Sequence, residues 1–225
     1  MKDTASTISL RELRLDEVPQ AVQLAEAAFE NDPLQGYFRY TPNPADDGAW
    51  RENWHNWLGR NLTENISRGR AWTTEDVGAV LIYAPVSSHE EEKNEANARK
   101  KTKLSEEQLK RAGEWGEKSE KVIGDVLGDS RKETVYLDFL ATSPEKQGRG
   151  YASALIRKVT GEADSQHRAT WLMSSNVANV GFYHSFGFVT KASIVVGDTN
   201  PTWQNPPLIV ELLVREAIAT TQGSV

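Results

Sequence analysis

The sequence predicts an α/β (α+β) fold in which a mixed, twisted sheet of about seven strands carries helices on both faces. Residues 135–142 are mostly apolar and rich in strand formers, which indicates a strand buried on both sides. A glycine-bearing loop follows this strand, and then an apolar pattern of helical spacing over 155–163. Further strand patterns lie at 71–84 (a hairpin), 169–173, 188–196 and 208–214. This order of strands and helices predicts a mixed sheet rather than a helical bundle or a sandwich.

The N-terminal segment predicts one strand, one helix and one loop. Residues 8–15 alternate apolar and polar side chains, the pattern of a half-buried strand. Asp16 can cap the helix that follows, and the Asn-Asp-Pro run at 31–33 ends it. Residues 33–48 combine Gly, Pro, Asn and Asp with three aromatic residues. We expect a loop there, whose aromatic side chains either anchor it or line a pocket.

A tryptophan stripe marks the next helix, predicted over about 46–68. Trp50, Trp54 and Trp57 fall at helical spacing with the leucines that follow them. Such a stripe can form a stacking platform for a ligand. Large apolar side chains on one helical face belong more often to the core, and we favour that interpretation.

A charged insertion separates the hairpin from the strand at 135–142. Residues 87–132 are dense in Glu, Lys and Arg, with only sparse apolar positions. We expect charged helices that lie over one edge of the domain. For residues 88–102 a disordered linker is the alternative interpretation.

The composition narrows the class of protein. The length of 225 residues and a hydrophobic fraction of 38% favour a single domain over 1–225. The net charge of -6 argues against a nucleic-acid-binding surface. Cysteine is absent, which excludes a disulfide scaffold, a thiolate nucleophile and a cysteine–zinc site, and we expect no metal. No apolar run approaches the roughly 20 residues of a membrane span. We therefore expect a cytoplasmic protein without a membrane partner, either a monomer or a homodimer.

The loop after residues 135–142 has the features of a phosphate-binding site. Pro144 ends the strand because it has no N–H, and residues 147–150 (Gln-Gly-Arg-Gly) lead into the helix. A helix entered through glycines offers unpaired N–H groups and the positive end of its dipole to an anion. Two familiar glycine loops do not fit. No lysine follows Gly150, as a Walker A loop requires, and the spacing around Ser153 does not complete a dinucleotide-binding fingerprint.

The pattern Gln-x-x-Gly-x-Ala at Gln147, Gly150 and Ala152 resembles the acetyl-CoA loop of the Gcn5-related N-acetyltransferase (GNAT) superfamily. A second segment, N-V-G-F-Y-H-S-F-G-F at 179–188, resembles the Asn…Tyr…Gly-Phe signature of the same superfamily and starts 32 positions after Gln147. The separation is the usual one in that superfamily. With both signatures in order, the chain is identified as a GNAT-like N-acetyltransferase.

In layout the chain is similar to the puromycin N-acetyltransferase-like branch of that superfamily. The similarity covers most of residues 8–196, including the opening R-E-L-R-L and the ending F-Y-H-S-F-G-F-V-T. The layout departs from the branch in 87–132, where only the composition matches. It also departs at Met173, where several relatives carry a carboxylate.

The resemblance implies a binding site for acetyl-CoA. The N–H groups of residues 148–153 are expected to hold the pyrophosphate, with Arg149 adding a charged contact. Strands 139–142 and 171–174 should splay apart, so that backbone groups of the first strand bind the pantetheine arm and polarise the thioester carbonyl. The residues expected to bind the cofactor are Leu140, Ala141, Thr142, Gln147, Gly148, Arg149, Gly150, Tyr151, Ala152, Ser153 and Asn179.

Two residues are candidates for catalysis. The resemblance makes Tyr183 the general acid that returns a proton to the CoA thiolate, and a core tyrosine is the alternative. Asp138 is the one acid in an otherwise apolar strand and is a candidate base. A structural carboxylate is the alternative there. Strand alternation would place Asp138 on the same face as Tyr136, Leu140 and Thr142.

The expected activity is acetyl transfer to a small primary amine by direct attack in a ternary complex. Without cysteine no thiol can form an acyl-enzyme, which supports the direct route. Glu30, Asp32 and Tyr37 are candidates for binding this substrate. The alternatives are acetylation of a protein or peptide amine, and a non-catalytic acyl-CoA-binding regulatory module. The sequence leaves the acceptor and the acyl chain open.

Overall fold

A seven-stranded mixed sheet with strand order β1-β2-β3-β4-β5-β7-β6 carries the fold. This computed structural model describes residues 8–85 and 103–218. The strands are β1 (Leu10–Glu12), β2 (Ala71–Thr74), β3 (Ala79–Pro85), β4 (Val135–Thr142), β5 (Thr170–Ser174), β6 (Val189–Val196) and β7 (Leu208–Arg215). Only β4 and β5 pair in parallel, and the other neighbours are antiparallel. The predicted mixed sheet of seven strands is confirmed.

Six α-helices cover both faces of this sheet. They are α1 (Val18–Ala28), α2 (Pro33–Arg39), α3 (Ala45–Ser67), α4 (Glu106–Leu127), α5 (Tyr151–Ser165) and α6 (Val180–His184), all within the described residues. Helices α1 and α3 pack on one face of β3 and β4, where Leu58 and Leu62 contact the core. Helix α5 packs on the opposite face through Leu155 and Ile156. Burial of these apolar side chains on both faces stabilises the sheet.

The expected loop at 33–48 is a helix over its first half, so that prediction is wrong for Pro33–Arg39. Asp32 caps this helix, because its Oδ1 accepts a hydrogen bond from the Gln35 N–H at 3.0 Å. Pro33 at the first position has the φ that a helix needs and no N–H to leave unpaired. The same Asp-Pro pair that ends α1 therefore starts α2.

Helix α4 is the described part of the charged insertion, and it lies over the β6 end of the sheet. Ser105 caps its first turn by accepting from the Gln108 N–H at 3.2 Å. Ile123 and Leu127 pack against Trp171 of β5. Residues 88–102, for which a disordered linker was the alternative, lie outside the described residues. Of the charged helices expected over 87–132, the described part contains one long α-helix, α4, which contacts the edge strand β6.

A buried arginine fixes α4 to its neighbours. Arg111 is fully buried, and its guanidinium donates to the carbonyl oxygens of Tyr37 and Tyr40 and to the Thr202 side chain. Its Nε lies 2.7 Å from the Glu107 carboxylate, which balances the buried charge. These bonds join α4 to α2 and to the turn before β7.

Among the helices of the described residues, none combines the length and the apolar character needed to cross a bilayer. Within residues 8–85 and 103–218, no group of three or more His, Asp or Glu side chains is placed to hold a metal ion.

Candidate active site

A β-bulge in β4 changes the direction of its side chains. Ile82 of β3 pairs with Phe139, while the next residue, Tyr83, pairs with Leu137, so that Asp138 is the extra residue of the bulge. As a result Asp138 points to α3, where the Asn61 amide lies 3.4 Å from its carboxylate, whereas Leu140 packs on the α5 side. The expectation that Asp138 shares a face with Leu140 and Thr142 is wrong, because the bulge adds one residue to the alternation.

Strands β4 and β5 separate beyond the first two residues of their contact. Val135 pairs with Thr170 and Tyr136 with Trp171, and the register between the two strands goes no further in the described chain. The expected splay between 139–142 and 171–174 is therefore present. It leaves the β5-facing backbone groups of β4 available to a ligand.

A cleft of about 600 Å³ opens at the end of β4 and the start of α5. All residues predicted to bind the cofactor line it except Arg149, whose side chain is exposed to solvent. Lys146, which the sequence analysis did not select, lines the cleft as well and forms an ion pair of 2.9 Å with Asp76. Of the two basic residues at this loop, Lys146 therefore lines the cleft and Arg149 does not.

The loop that enters α5 has a conformation that favours glycine. Gly148 and Gly150 have φ values of +73° and +85°, a region that other L-residues rarely adopt. Gly150 is the N-cap of α5, so the N–H groups of Tyr151, Ala152 and Ser153 have no partner within the helix. With the positive end of the helix dipole, they form a surface suited to phosphate oxygens.

A second cavity of about 400 Å³ lies on the α3 side of the splayed strands. Its lining is rich in aromatic residues, among them Phe29, Phe38, Trp50, Trp54, Trp57, Trp115 and Tyr136. The interpretation of the α3 stripe as core holds for Trp50, Leu58 and Leu62, which are buried in core clusters. All three tryptophans of α3 also line this cavity. Periodicity alone could not separate the two cases, since a cavity wall and a core wall have the same spacing.

The two cavities meet between the splayed strands. The residues that line both are Phe29, Asp32, Leu140, Asn176, Asn179 and Tyr183. A group held in the cleft of α5 can therefore meet a group held in the aromatic cavity at this junction. Two of the shared residues have side chains that can donate or accept a proton, the Tyr183 phenol and the Asp32 carboxyl.

Tyr183 lies on α6 with its ring against Phe182 and Phe188, at centroid distances of 5.3 and 6.1 Å. Burial raises the pKa of its phenol to about 12, so the group is protonated at neutral pH. Among the described residues no group bonds its hydroxyl. Tyr183 is therefore both packed and able to donate a proton into the junction, so its two sequence interpretations are compatible.

Asp32 is held in place from two sides. Its Oδ1 caps α2, and its Oδ2 accepts a hydrogen bond from the Ser175 hydroxyl. Burial raises the pKa of its carboxyl above the ordinary value, although these hydrogen bonds oppose the shift. Ser175 and Asn176, which follow β5, are site residues without a sequence signal, because no motif marks them.

The fold and one stretch of sequence can be compared with known proteins. The polyamine N-acetyltransferase of Drosophila melanogaster superposes over 93% of this chain and 99% of that one, with a TM-score of 0.63 and 18% identity. Arylalkylamine N-acetyltransferase 2 from Aedes aegypti does so over 95% and 100%, with a TM-score of 0.65 and 14% identity. The chain has the GNAT fold. At these identities the likeness shows the fold alone.

The sequence match agrees with the GNAT fold. Residues 81–188, which contain the β4–α5 loop and Tyr183, match the acetyltransferase (GNAT) family model. An uncharacterized N-acetyltransferase of Schizosaccharomyces pombe is 32% identical over 92 residues, which are 41% of this chain and 35% of that protein. The match thus spans about a third of that relative's length. The family match and the fold thus agree over residues 81–188, a little under half of the chain.

Two predicted substrate-binding residues lie away from the junction of the two cavities. Glu30 forms ion pairs with Arg51 and Arg39 at 2.7 and 3.2 Å. It lines a groove on the far side of Phe29, Gln35, Trp50 and Trp54, which that groove shares with the aromatic cavity. Tyr37 is fully buried, and its hydroxyl donates to Glu114 at 2.5 Å. Both positions depart from the expectation that these side chains line the acceptor side. Aromatic and acidic residues near a cleft carry no sequence mark of which way they point.

Asp138 lines the aromatic cavity but not the α5 cleft. Asp32 lines both. The carboxylate at the junction of the two cavities is therefore Asp32, and Asp138 lines the aromatic cavity only. The role of Asp138 as a base stays a prediction.

We expect Asp32→Asn to change stability in a pH-dependent way. The raised pKa means that Asp32 ionises less readily in the folded than in the unfolded chain, so the parent loses stability as pH rises through the folded pKa. Asparagine caps a helix as well as aspartate and does not ionise. The free energy of unfolding of the variant relative to the parent should therefore increase between pH 3.5 and 7, measured by urea titration.

Asp164→Asn is the matched control with the opposite sign. The hydrogen bonds from Arg215 lower the pKa of Asp164. That carboxylate stabilises the fold above its unfolded pKa, so its variant should lose stability relative to the parent as pH rises. Parallel pH trends for the two variants would contradict the assignment for Asp32.

Proposed function

We propose that this chain is an acetyl-CoA-dependent N-acetyltransferase that moves an acetyl group to a small primary amine in a ternary complex. One observation carries the proposal: the glycine-loop cleft and the aromatic cavity open onto each other at a junction that holds Tyr183 and Asp32. A donor and an acceptor bound on the two sides would meet there without an enzyme nucleophile. The sequence supplies no cysteine that could take the acyl group.

The residues of the cleft fit acetyl-CoA. The N–H groups from Gly148 to Ser153 would hold the pyrophosphate, and Asn179 would contact the pantetheine arm. Thr142 has a buried Oγ1 with no hydrogen-bond partner in the described structure, and a polar group of the arm would satisfy it. When bound, acetyl-CoA supplies an acyl group that is activated as a thioester. Backbone N–H groups of β4 near Leu140 would bind its carbonyl oxygen.

Three proton transfers accompany such a reaction: the amine loses one proton before it attacks and a second as the amide forms, and the CoA thiolate gains one. A primary amine is protonated at neutral pH and must lose a proton before it attacks. Asp32 is ionised above its raised pKa and accepts that proton, directly or through a water molecule. Tyr183 is protonated up to a pKa of about 12 and can give its proton to the departing thiolate. The second proton of the amine nitrogen restores the phenol, and the proton taken by Asp32 passes to solvent.

The size of the aromatic cavity favours a small molecule over the alternatives. Helices α2, α3 and α4 contribute Phe38, Trp54 and Trp115 to walls around a volume of about 400 Å³, which suits a small amine better than a peptide chain. A non-catalytic acyl-CoA-binding module would not need Tyr183 at the junction. The relation to puromycin N-acetyltransferase-like enzymes also stays a prediction, which rests on sequence layout.

The direct test is a screen of primary amines with acetyl-CoA, with release of the CoA thiol as the readout. We expect amine-dependent release for small amines and none for lysine-containing peptides. Binding of acetyl-CoA without turnover on any amine would support the regulatory module instead. Peptides that outperform small amines would support protein acetylation.

We expect Tyr183→Phe to lower turnover by about 10²–10³-fold, the usual scale for a lost general acid. The ring packing is kept, so acetyl-CoA affinity should stay within a few fold and stability should change by at most about 1 kcal/mol. Steady-state kinetics and calorimetric titration measure both. Tyr83→Phe is the control, since the Tyr83 hydroxyl bonds Glu162 at 3.0 Å away from both cavities. Parent-like turnover in Tyr183→Phe would leave this tyrosine a packing role only.

We expect Gly150→Asp to weaken acetyl-CoA binding by about tenfold or more. The substitution strains a residue at a φ of +85° and adds a negative charge where the helix dipole favours an anion. Gly161→Asp is the control, because it places the same side chain on the exposed side of α5, with open space around it. Equal affinities of the two folded variants in a calorimetric titration would refute the loop as the phosphate site.

A further inference from the structure

We propose that the acceptor is an arylalkylamine, a primary amine joined by a short chain to a flat aromatic body. The amine would reach Asp32 at the junction, and the ring would lie among the aromatic side chains of α2, α3 and α4. This inference rests on the proposed function and names the substrate class of the same site.

The aromatic side chains of the cavity are held as rigid surfaces. Trp54 and Trp57 stack at 4.9 Å with an interplanar angle of 13°, and Phe38 and Trp50 stack at 4.6 Å and 28°. On the other wall, Tyr136 stacks on Trp171 at 4.1 Å. Since each ring is backed by another, the wall can meet a flat ligand without ordering new side chains.

The charge of the lining selects the kind of amine. Asp32 and Asp138 line the cavity, and no Lys, Arg or His of the described residues does. A carboxylate on the acceptor would be buried without a cationic partner, which is unfavourable by several kcal/mol. The lining therefore accepts an amine without a carboxylate and disfavours a free amino acid.

A polyamine fits the lining less well than an aromatic body. Each additional ammonium group would need a counter-charge inside the cavity. Asp138 is the carboxylate there besides Asp32, and it already interacts with groups of this chain, including the Asn61 amide at 3.4 Å. The remaining wall is mainly apolar and offers contact area to a ring.

Helix α4 contributes the part of the cavity wall that would contact the aromatic ring of the acceptor. Trp115 and Ala112 face the cavity, while Arg111 and Glu114 on neighbouring turns bind Tyr37 and so hold the helix in place. Trp115 thus belongs to the wall because a polar network fixes its helix. Its removal should affect a large acceptor more than a small one.

The experiment compares tryptamine, tryptophan, spermidine and ethylamine as acceptors at saturating acetyl-CoA. Tryptamine and tryptophan differ by one carboxylate, so the first should have a kcat/KM at least about 100-fold higher, the scale for an unpaired buried charge. Tryptamine should exceed spermidine by about tenfold or more, the lower range for a pocket that selects by shape. A preference for tryptophan or spermidine would overturn the inference and leave the proposed function intact.

Two substitutions in α4 test whether Trp115 contacts the aromatic ring of the acceptor. Trp115→Ala should raise the KM for tryptamine by about tenfold and change that for ethylamine by less than threefold. Leu109→Ala, an exposed position on the same helix, should change neither. Equal losses for both amines in Trp115→Ala would contradict a role in binding the ring. If no amine supports turnover, calorimetric titration of tryptamine into the CoA-bound protein decides: absence of binding refutes the inference, whereas binding retains it and places the failure in the proposed chemistry.

Discussion

The separation of β4 from β5 is the constraint on which the site depends. One extra residue at Asp138 turns the end of β4 away from its parallel neighbour, so only Val135 and Tyr136 pair across the two strands. A continuous ladder would fill this space with backbone hydrogen bonds. Here the same backbone groups face a gap that the glycine-loop cleft enters from one side and the aromatic cavity from the other. The bulge therefore makes one junction out of two binding surfaces.

The described part of the charged insertion, helix α4, is the second feature on which the site depends, because it contributes to the wall of the aromatic cavity. Helix α4 is charged along most of its length, yet one face carries Arg111 and Glu114 into hydrogen bonds with Tyr37. Partnered in this way, the buried charges fix the helix in one position. Trp115 lies next to them in sequence and reaches the cavity. The polar network thus holds Trp115 in the wall of the aromatic cavity. The glycine loop between β4 and α5 lies on the opposite part of the sheet.

The sheet, most helices and the position of the glycine loop could be predicted from the sequence, because they depend on local periodicity and on two spaced motifs. It could not show the bulge, since an extra residue in an apolar strand leaves no mark in the pattern of residues 135–142. Because regular alternation ignores the bulge, it predicted the wrong face of the sheet for Asp138. The sequence pattern at Asp32-Pro33 indicates the end of α1, but the same pair also starts α2. Ser175 and Asn176 reach the site through tertiary placement alone.

The central claim is that donor and acceptor occupy the two cavities together and react at their junction. Initial rates of thiol release over a grid of acetyl-CoA and amine concentrations test it most directly. Intersecting double-reciprocal lines are the result expected for a ternary complex, in which both substrates bind before any product leaves. Parallel lines would show that the acetyl group is first taken up by the protein, and they would contradict transfer at the junction.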